Sequence, residues 1–359
     1  MNCYGAAPGD DEIEITVFGP GFGEAIAVHV GIGNWLLVDS CIDPNSKQPA
    51  SYTYLQKIGV QPHQVKAIVA SHWHDDHVKG ISTLAAYYPD AEFHISAVFD
   101  NKEAMAFLCA YNETAASGLS RGSNELYKVL MEKNRKIFHV MQRSSIMEVN
   151  ANGKNVKVVA LSPVSAALTQ SIAHFAQYLP NINGGSPVNH APELKPNLEA
   201  IAIHIDFDGD AALLGSDLEE HHSCGWSAIV TDHWCGLKSL SSVYKVAHHG
   251  SITGEHSLIW TTLLTPNPTA CLTPFMRGNV KLPTDSDKDR IKGKALNAFI
   301  SSGSITSTKM HHKTLKRLNN ICRHVTPVNS GFGAVRLRKK RGEATAVWTS
   351  ELFGDACAL

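Results

Sequence analysis

The chain of 359 residues contains 43% hydrophobic and 18% charged residues, which is typical of a soluble globular protein with a sizeable core. Its length would accommodate two average domains, although a layered α/β fold can use most of it as one. A net charge of −1 argues against a general polyanion binder. No apolar run is long enough to cross a membrane and residues 1–20 lack a signal peptide, so we expect a cytoplasmic protein without membrane contact.

The first seventy residues predict an alternation of strands and one helix. Residues 12–17 alternate as a strand, and residues 25–30 and Trp35–Val38 predict the next two strands. Residues 52–57 predict an outer helix, and the apolar run Val65–Ala70 predicts a buried strand. This order indicates a layered α/β architecture.

The segment that follows the Val65–Ala70 strand is rich in side chains that bind metals. It reads Ser71-His72-Trp73-His74-Asp75-Asp76-His77. His72 and His74 can converge on one ion, whereas Asp76 and His77 can reach a second. A hydrophilic turn that happens to contain these residues is the alternative, but such a cluster is costly without a metal. We interpret Asp75 as an acceptor that stabilises the turn.

This pattern resembles the signature of the metallo-β-lactamase fold superfamily of metallohydrolases. The resemblance implies a four-layer αββα sandwich with two divalent metal ions. It also implies that Asp39, at the end of the third strand, orients the metal loop by hydrogen bonding and does not bind an ion.

Residues 101–145 have apolar positions at helical spacing, such as Leu126, Val129 and Leu130. They predict a helical insertion beside the active face. The insertion would act as a lid over the substrate, or it would only pack against the rest of the protein.

The third motif of the resembled family normally ends a strand with a His. Residues 156–163 form the expected strand and lack that His, while His174 and His190 lie downstream and end no strand. Among members of the superfamily, this departure resembles the DNA-processing domain of bacterial competence channel proteins and its stand-alone relatives.

The next strands lead to a candidate bridging carboxylate. Residues 197–205 predict a strand, residues 208–210 a hairpin turn, and residues 211–214 the partner strand that ends before Asp217. The resemblance implies that Asp217 bridges the two ions, and the alternative is an Asp that caps a turn.

A further predicted strand, residues 243–247, precedes His248-His249-Gly250-Ser251. The resemblance implies that His248 is a metal ligand. Successive side chains of an extended backbone point apart, so we expect His249 to donate to a substrate oxygen or leaving group. The alternative is that the two residues exchange these roles.

The remaining chain is predicted to form a basic C-terminal extension, residues 276–359, packed on a metallo-β-lactamase-like domain of residues 1–275. Residues 261–265 and 270–273 predict the closing edge of the second sheet, residues 287–298 a helix, and residues 333–338 with 344–348 a terminal hairpin.

Charge is unevenly distributed over the chain. Residues 288–341 contain fourteen Lys and Arg and one acidic residue, Asp289, which gives a local charge of +13 and leaves −14 elsewhere. This basic segment would either bind phosphate groups or form a solvent-exposed charged surface. The pairs His221-His222 and His311-His312 are expected at the surface or in an outer pocket.

These residues together predict a metal-dependent hydrolase. One ion would bind His72, His74 and Asp217, and the other Asp76, His77, His248 and Asp217, with zinc or manganese as the metal. Asp76 and His249 are the expected catalytic residues, and a metal-bridged hydroxide would be the nucleophile. The preferred substrate is a phosphodiester in nucleic acid or a nucleotide. The alternatives are hydrolysis of a lactone, thioester or lactam, and a non-catalytic binding module.

Overall fold

A computed structural model describes residues 4–19, 22–112, 121–151, 154–177, 179, 196–232, 237–303, 317, 321, 331–342 and 346–359. The strands in this part of the chain are β1 (Glu12–Gly19), β2 (Ala25–His29), β3 (Trp35–Val38), β4 (Val65–Ala70), β5 (Glu92–Ser96), β6 (Ile137–Val140), β7 (Ser145–Ala151), β8 (Lys154–Ala160), β9 (Ile203–Phe207), β10 (Asp210–Leu214), β11 (Ser241–Lys245), β12 (Leu264–Leu272), β13 (Phe275–Arg277), β14 (Val280–Leu282), β15 (Asn297–Ile300), β16 (Gly333–Lys340), β17 (Thr349–Gly354) and β18 (Cys357–Ala358).

The α-helices in the described ranges are α1 (Ala50–Lys57), α2 (Asp75–Val78), α3 (Ile81–Tyr87), α4 (Lys102–Asn112), α5 (Arg121–Leu130), α6 (Ser165–Gln177), α7 (Trp226–Val230) and α8 (Asp285–Lys292). None of these helices combines the length and the apolar character that crossing a bilayer requires.

The strands form two eight-stranded sheets and a separate hairpin. The first sheet has the order β17-β16-β1-β2-β3-β4-β5-β6, the second has the order β18-β15-β12-β11-β10-β9-β8-β7, and β13 pairs with β14. Strands β3, β4 and β5 are parallel, as are β10, β11, β12 and β15. The carboxyl ends of several parallel strands therefore meet at one edge of each sheet, where the site lies.

Side chains alternate between two apolar layers because successive residues of a strand point to opposite faces. Leu36 and Val69 pack between the sheets, whereas their neighbours Leu37 and Ile68 pack under the helices on the other face. In the second sheet, Leu214 lies between the sheets. Its neighbour Leu213 packs in the outer layer, where Trp226 of α7 and Ile291 of α8 also lie. These layers make the four-layer αββα sandwich that the sequence predicts.

The expected helical insertion is helical only in part. Helix α4 ends at Asn112 and helix α5 at Leu130, and the chain then enters the first sheet as β6, with Ile137 opposite Phe93. The helical interpretation of residues 131–143 was therefore wrong. The run Ile137–Val140 is β-branched and aromatic, and the free edge of β5 supplies a partner that the sequence does not reveal.

Three other boundaries differ from the predictions. Residues 197–202 are not in a strand, because Pro196–Glu199 forms a 3₁₀ turn and β9 begins at Ile203. The predicted closing edge is one interior strand, β12, which lies between β11 and β15. The predicted helix 287–298 is instead α8, which ends at Lys292, followed by β15. The helix begins at Asp285 because the Thr284 hydroxyl caps it by accepting a hydrogen bond from Asp287 N.

The terminal hairpin is confirmed with a different second strand. Strand β16 pairs with β17, so residues 349–354 return along it, whereas residues 346–348 are in no strand and residues 344–345 of the prediction lie outside the described residues. On its other side β16 pairs with β1, from Glu12 opposite Lys340 to Gly19 opposite Gly333. The last strands of the chain therefore complete both sheets.

Candidate metal centre

The candidate site residues lie on loops at the same edge of the two sheets. Asp39 follows β3, the segment from Ser71 follows β4, and Asp217 comes three residues after β10. His248 and His249 lie in a short 3₁₀ turn beyond β11. The parallel direction of these strands brings together residues that are far apart in sequence.

Four of these side chains form the first group able to hold a cation, namely Asp76, His77, Asp217 and His249. His249 Nε2 lies 3.2 Å from Asp76 Oδ2 and 3.3 Å from Asp217 Oδ2. His77 Nε2 lies 3.3 Å from Asp217 Oδ1 and 3.7 Å from Asp76 Oδ2. Since all four residues are buried, the group brings two carboxylates and two imidazoles together away from water.

A second group contains His72, His74 and Asp217. His72 Nε2 lies 3.1 Å from His74 Nδ1 and 4.0 Å from Asp217 Oδ2. Asp217 is the member that both groups share. The structure thus brings together five of the six predicted ligands, and it places Asp217 between the two groups as the sequence predicts.

His248, the sixth predicted ligand, lies outside both groups, and His249 takes the position that was expected for it. His248 Nδ1 lies 2.7 Å from Thr253 Oγ1 and 3.2 Å from Glu219 Oε1, and its side chain is 18% exposed. Its Nε2 lies 3.5 Å from Asn197 Nδ2. Both His residues have positive φ, so the extended backbone on which the prediction rested is absent. In this geometry His249, and not His248, lies beside the Asp76 and Asp217 carboxylates, which agrees with the alternative in which the two residues exchange roles.

Asp39 contacts the metal loop through hydrogen bonds. Its Oδ1 accepts Ser71 N at 2.7 Å, and its Oδ2 accepts the Ser71 hydroxyl and lies 2.7 Å from His77 Nδ1. Because His77 Nδ1 is held in this way, His77 Nε2 faces the first group. This geometry agrees with the orienting role expected of Asp39.

Burial and neighbouring charges shift the pKa values of the site residues in opposite directions. Burial opposes ionisation of Asp217, but His249 and His77 outweigh it and hold its pKa well below the usual range. Burial would lower the pKa of His249, but the Asp217 and Asp76 carboxylates raise it to about 9. Burial, reinforced by His77 and His74, lowers the pKa of His72 well below its usual value, so His72 is neutral and has a lone pair for a cation.

Backbone strain is concentrated at the site. Asp39, Ser216, His248 and His249 all have φ between 48° and 61°, a region that residues other than glycine rarely occupy. Such strain persists where surrounding contacts impose it, and it is common at functional sites.

Among the described residues, no further His, Cys, Asp or Glu joins the group of His72, His74 and Asp217 in place of the missing His of the third motif. Strand β8 ends before Ser162, whose hydroxyl donates to Ala200 O and accepts from Ala202 N. His174 lies on α6 and belongs to neither group, while His190 is outside the described residues. His221 and His222 are exposed, as predicted for that pair, and His311 and His312 are outside the described residues.

Sequence reasoning missed three residues next to the centre, namely Glu24, Lys245 and Thr273. Glu24 forms a further group with Asp39 and His77. Lys245 lies at the end of β11 and Thr273 directly after β12. A Lys inside the apolar sequence Val-Tyr-Lys-Val-Ala was the available signal, because a charge within a buried strand requires a partner.

Comparison with known families agrees with this geometry. Residues 18–106, which include β4 and the His-rich segment, match the model of the metallo-beta-lactamase superfamily. Within these residues the chain is similar to that superfamily. The two sheets flanked by helices form the metallo-β-lactamase sandwich.

The comparison with solved structures finds several metallo-beta-lactamase proteins at low identity and low TM-score. The metallo-beta-lactamase fold protein YhfI from Bacillus subtilis has 13% identity and a TM-score of 0.43, over 82% of this chain and 97% of that one. MEM-A1, a subclass B3 metallo-beta-lactamase from a soil metagenome, has 14% identity and a TM-score of 0.33, over 67% and 81%. A HARLDQ-motif mutant of a Cronobacter sakazakii metallo-beta-lactamase has 14% identity and a TM-score of 0.32, over 56% and 60%.

No curated protein sequence matches the chain. The resemblance to the DNA-processing domain of competence channel proteins stays a prediction.

Proposed function

We propose that the chain is a metal-dependent hydrolase that cleaves phosphodiesters with two divalent cations, zinc or manganese. The observation that carries this proposal is the shared carboxylate of Asp217. Its Oδ1 faces His77, and its Oδ2 faces both His249 and His72. One carboxylate between two sets of ligands is the arrangement that a bridged pair of cations requires.

The donor atoms fit such cations. His77 Nε2 and Asp217 Oδ1 are buried and have no hydrogen-bond partner among the described residues, although they lie only 3.3 Å apart. Buried polar atoms without partners are unfavourable, and a cation would satisfy both. Imidazole nitrogens with carboxylate oxygens suit zinc, and the oxygen content also suits manganese.

When bound, two such cations lower the pKa of a coordinated water and stabilise charge on the attacking and leaving oxygens. Asp76, His77 and His249 would hold one cation and His72 and His74 the other, with Asp217 shared. Residues Asp39 and Thr273 orient two of these imidazoles through their Nδ1 atoms. The partly exposed His248 is assigned to hydrogen-bond a substrate oxygen, since Glu219 and Thr253 fix its ring at the rim.

The basic segment itself does not favour phosphate binding. Where side chains of residues 288–341 are described, nine of the ten Lys and Arg pair with carboxylates. Arg336, for example, pairs with Glu351, and Arg338 with Glu14. Much of the local charge is therefore neutralised by acidic residues from the rest of the chain.

The β13–β14 hairpin has a cationic residue on the strand that contacts the centre. The ring of Phe275 in β13 lies 5.1 Å from the ring of His249. Arg277 is two residues further along the same strand, so it lies on the same face as Phe275, and it is exposed. A guanidinium on the hairpin face that carries Phe275 favours an anionic substrate such as a phosphodiester.

The test measures hydrolysis of a bis-aryl phosphate and of single-stranded DNA by protein that is stripped of metal and then reloaded with zinc or manganese. We expect metal to restore cleavage, Asp76→Ala to abolish it, and Asp75→Asn to keep it within a few-fold. Asp75 is the matched control because it belongs to neither group and its Oδ1 accepts Gly122 N at 2.6 Å. Reloaded protein that leaves both substrates intact would refute the phosphodiesterase proposal.

A second candidate is hydrolysis of a lactone, thioester or lactam. The rings of Phe22 and Phe275 lie 5.7 Å apart and form an apolar wall beside His249. An apolar wall suits an uncharged carbonyl substrate. Metal-dependent opening of a lactone or thioester without phosphodiester cleavage would favour this candidate. If metal binds and no substrate of either class reacts, the chain is a binding module.

A further inference from the structure

A buried ion pair lies next to the metal centre. Lys245 Nζ and Glu24 Oε2 are 2.5 Å apart, and both side chains are fully buried. Transferring two charges from water costs several kcal/mol per ion, and replacing such a pair by apolar residues is often neutral for stability. The pair therefore requires an explanation other than stability of the core.

Each partner also contacts a backbone group next to a metal ligand. Glu24 N donates to Asp76 O at 2.8 Å, in helix α2, which follows β4 of the first sheet. Lys245 Nζ lies 3.5 Å from Ser216 O, directly before Asp217 on the second sheet. The ion pair, together with the backbone hydrogen bond of Glu24, thus links helix α2 to the loop after β10, and these two segments carry the carboxylates of the first group.

A third contact extends from Glu24 to the imidazole of His249. The Thr273 hydroxyl donates to Glu24 Oε2 at 2.5 Å. His249 Nδ1 lies 3.1 Å from that hydroxyl oxygen and 3.2 Å from Thr273 O. Because the hydroxyl hydrogen is directed to Glu24, its oxygen accepts the Nδ1 hydrogen of His249. Nε2 is then the atom that faces Asp76 and Asp217.

We propose that Glu24, Lys245 and Thr273 are positioning residues that set the affinity of the centre for its metal. The ion pair fixes the separation of Asp76 and Asp217 across the two sheets, and Thr273 fixes the orientation of His249. This inference rests on the metal centre of the proposed function and not on the identity of its substrate.

The geometry of Ser216 supports a positioning role. Its φ of 48° is strained for a residue other than glycine, and its carbonyl oxygen is the one that Lys245 approaches. His248 N also donates to this oxygen, at 2.9 Å. The contact with Lys245 therefore helps to hold the conformation from which Asp217 projects.

The experiment compares zinc affinity, measured by competition with a chromophoric chelator, in four variants. Glu24→Gln/Lys245→Met removes both charges, and Thr273→Val removes only the hydroxyl, while Thr273→Ser restores it. The matched control is Glu14→Gln/Arg338→Met, which removes an ion pair of 2.7 Å on the first sheet that contacts no metal ligand. Thermal unfolding of each metal-free variant is recorded alongside.

We expect the first double variant and Thr273→Val to bind zinc about 10- to 100-fold more weakly, the range known for residues that orient metal ligands. Thr273→Ser and the control double variant should bind zinc within about threefold of wild type. If Glu24→Gln/Lys245→Met does not fold, the comparison of Thr273→Val with Thr273→Ser decides the question.

Unchanged zinc affinity in Thr273→Val, or an equal loss in the control variant, would overturn the inference. Zinc affinity is measured without turnover, so the two proposals can fail separately. A wild type that binds zinc with this pattern of variants but cleaves no phosphodiester refutes only the substrate. A wild type that binds neither zinc nor manganese refutes the metal centre and the inference with it.

Discussion

The different environments of the adjacent His248 and His249 predict different effects of their substitution on zinc affinity. His249 is 1% exposed and its Nε2 lies within 3.3 Å of two carboxylates, whereas the side chain of His248 is 18% exposed and faces Glu219. Loss of a residue that merely orients a ligand lowers metal affinity by about 10- to 100-fold. We therefore expect His249→Gln to lower zinc affinity by about 100-fold or more, equivalent to about 2.7 kcal/mol.

His248→Gln should behave differently because it removes a hydrogen-bond partner for the substrate and no ligand. We expect zinc affinity within about threefold of wild type, with kcat reduced by about 10²- to 10³-fold, as for loss of one donor to a reacting oxygen. Chelator competition measures the affinity, and turnover of a bis-aryl phosphate at saturating zinc measures kcat. If His248→Gln loses zinc while His249→Gln retains it, the assignment drawn from the geometry is wrong.

Three further perturbations test the site and the fold. The pKa of His94, stacked on Phe138 at 5.1 Å, is lowered by burial to about 4. His94 binds a proton near pH 6.5 in the unfolded chain but only near pH 4 in the folded chain. The neutral, buried imidazole therefore contributes its full stability above pH 6.5, and this contribution is lost as the pH falls towards 4. His94→Leu should therefore reduce the loss of stability between pH 7 and pH 5 by about 2 kcal/mol, measured by urea unfolding at both values. Zinc at about 100 times its Kd should stabilise the wild type by about 2.7 kcal/mol in thermal unfolding, and Asp217→Asn should remove most of this gain. Phe93→Ala, at a fully buried position of β5, should lower the free energy of unfolding by about 3 to 5 kcal/mol, and a loss below 1 kcal/mol would contradict the packing described.

Strands with strong local patterns were predicted closely. Trp35–Val38 and Val65–Ala70 match the observed bounds. In such segments, hydrophobic residues on both faces and flanking turn residues specify the strand, and no contact with residues distant in sequence is needed to predict it. The errors occur where a local pattern is ambiguous. Residues 137–140 pair only because β5 has a free edge, and residues 197–202 are buried without entering a sheet.

The charge of the basic segment shows the same limitation. Its surplus of Lys and Arg is visible in the sequence, but ion pairs such as Lys339 with Asp210 join residues 129 positions apart. Composition alone cannot show which charges are neutralised, because neutralisation depends on distance in space.

The sequence by itself determined the ligand-rich loops, since each follows a recognisable strand and parallel strands end at one edge of a sheet. His72, His74, Asp76 and His77 could be proposed as ligands for that reason, whereas Asp217 was proposed from the resemblance to the metallo-β-lactamase fold. The choice of His249 over His248 was decided only by the tertiary structure, because the left-handed backbone of the turn reverses the directions that an extended chain would give. The contacts of Glu24 and Thr273, 249 residues apart, likewise exist only once the two sheets have packed against each other.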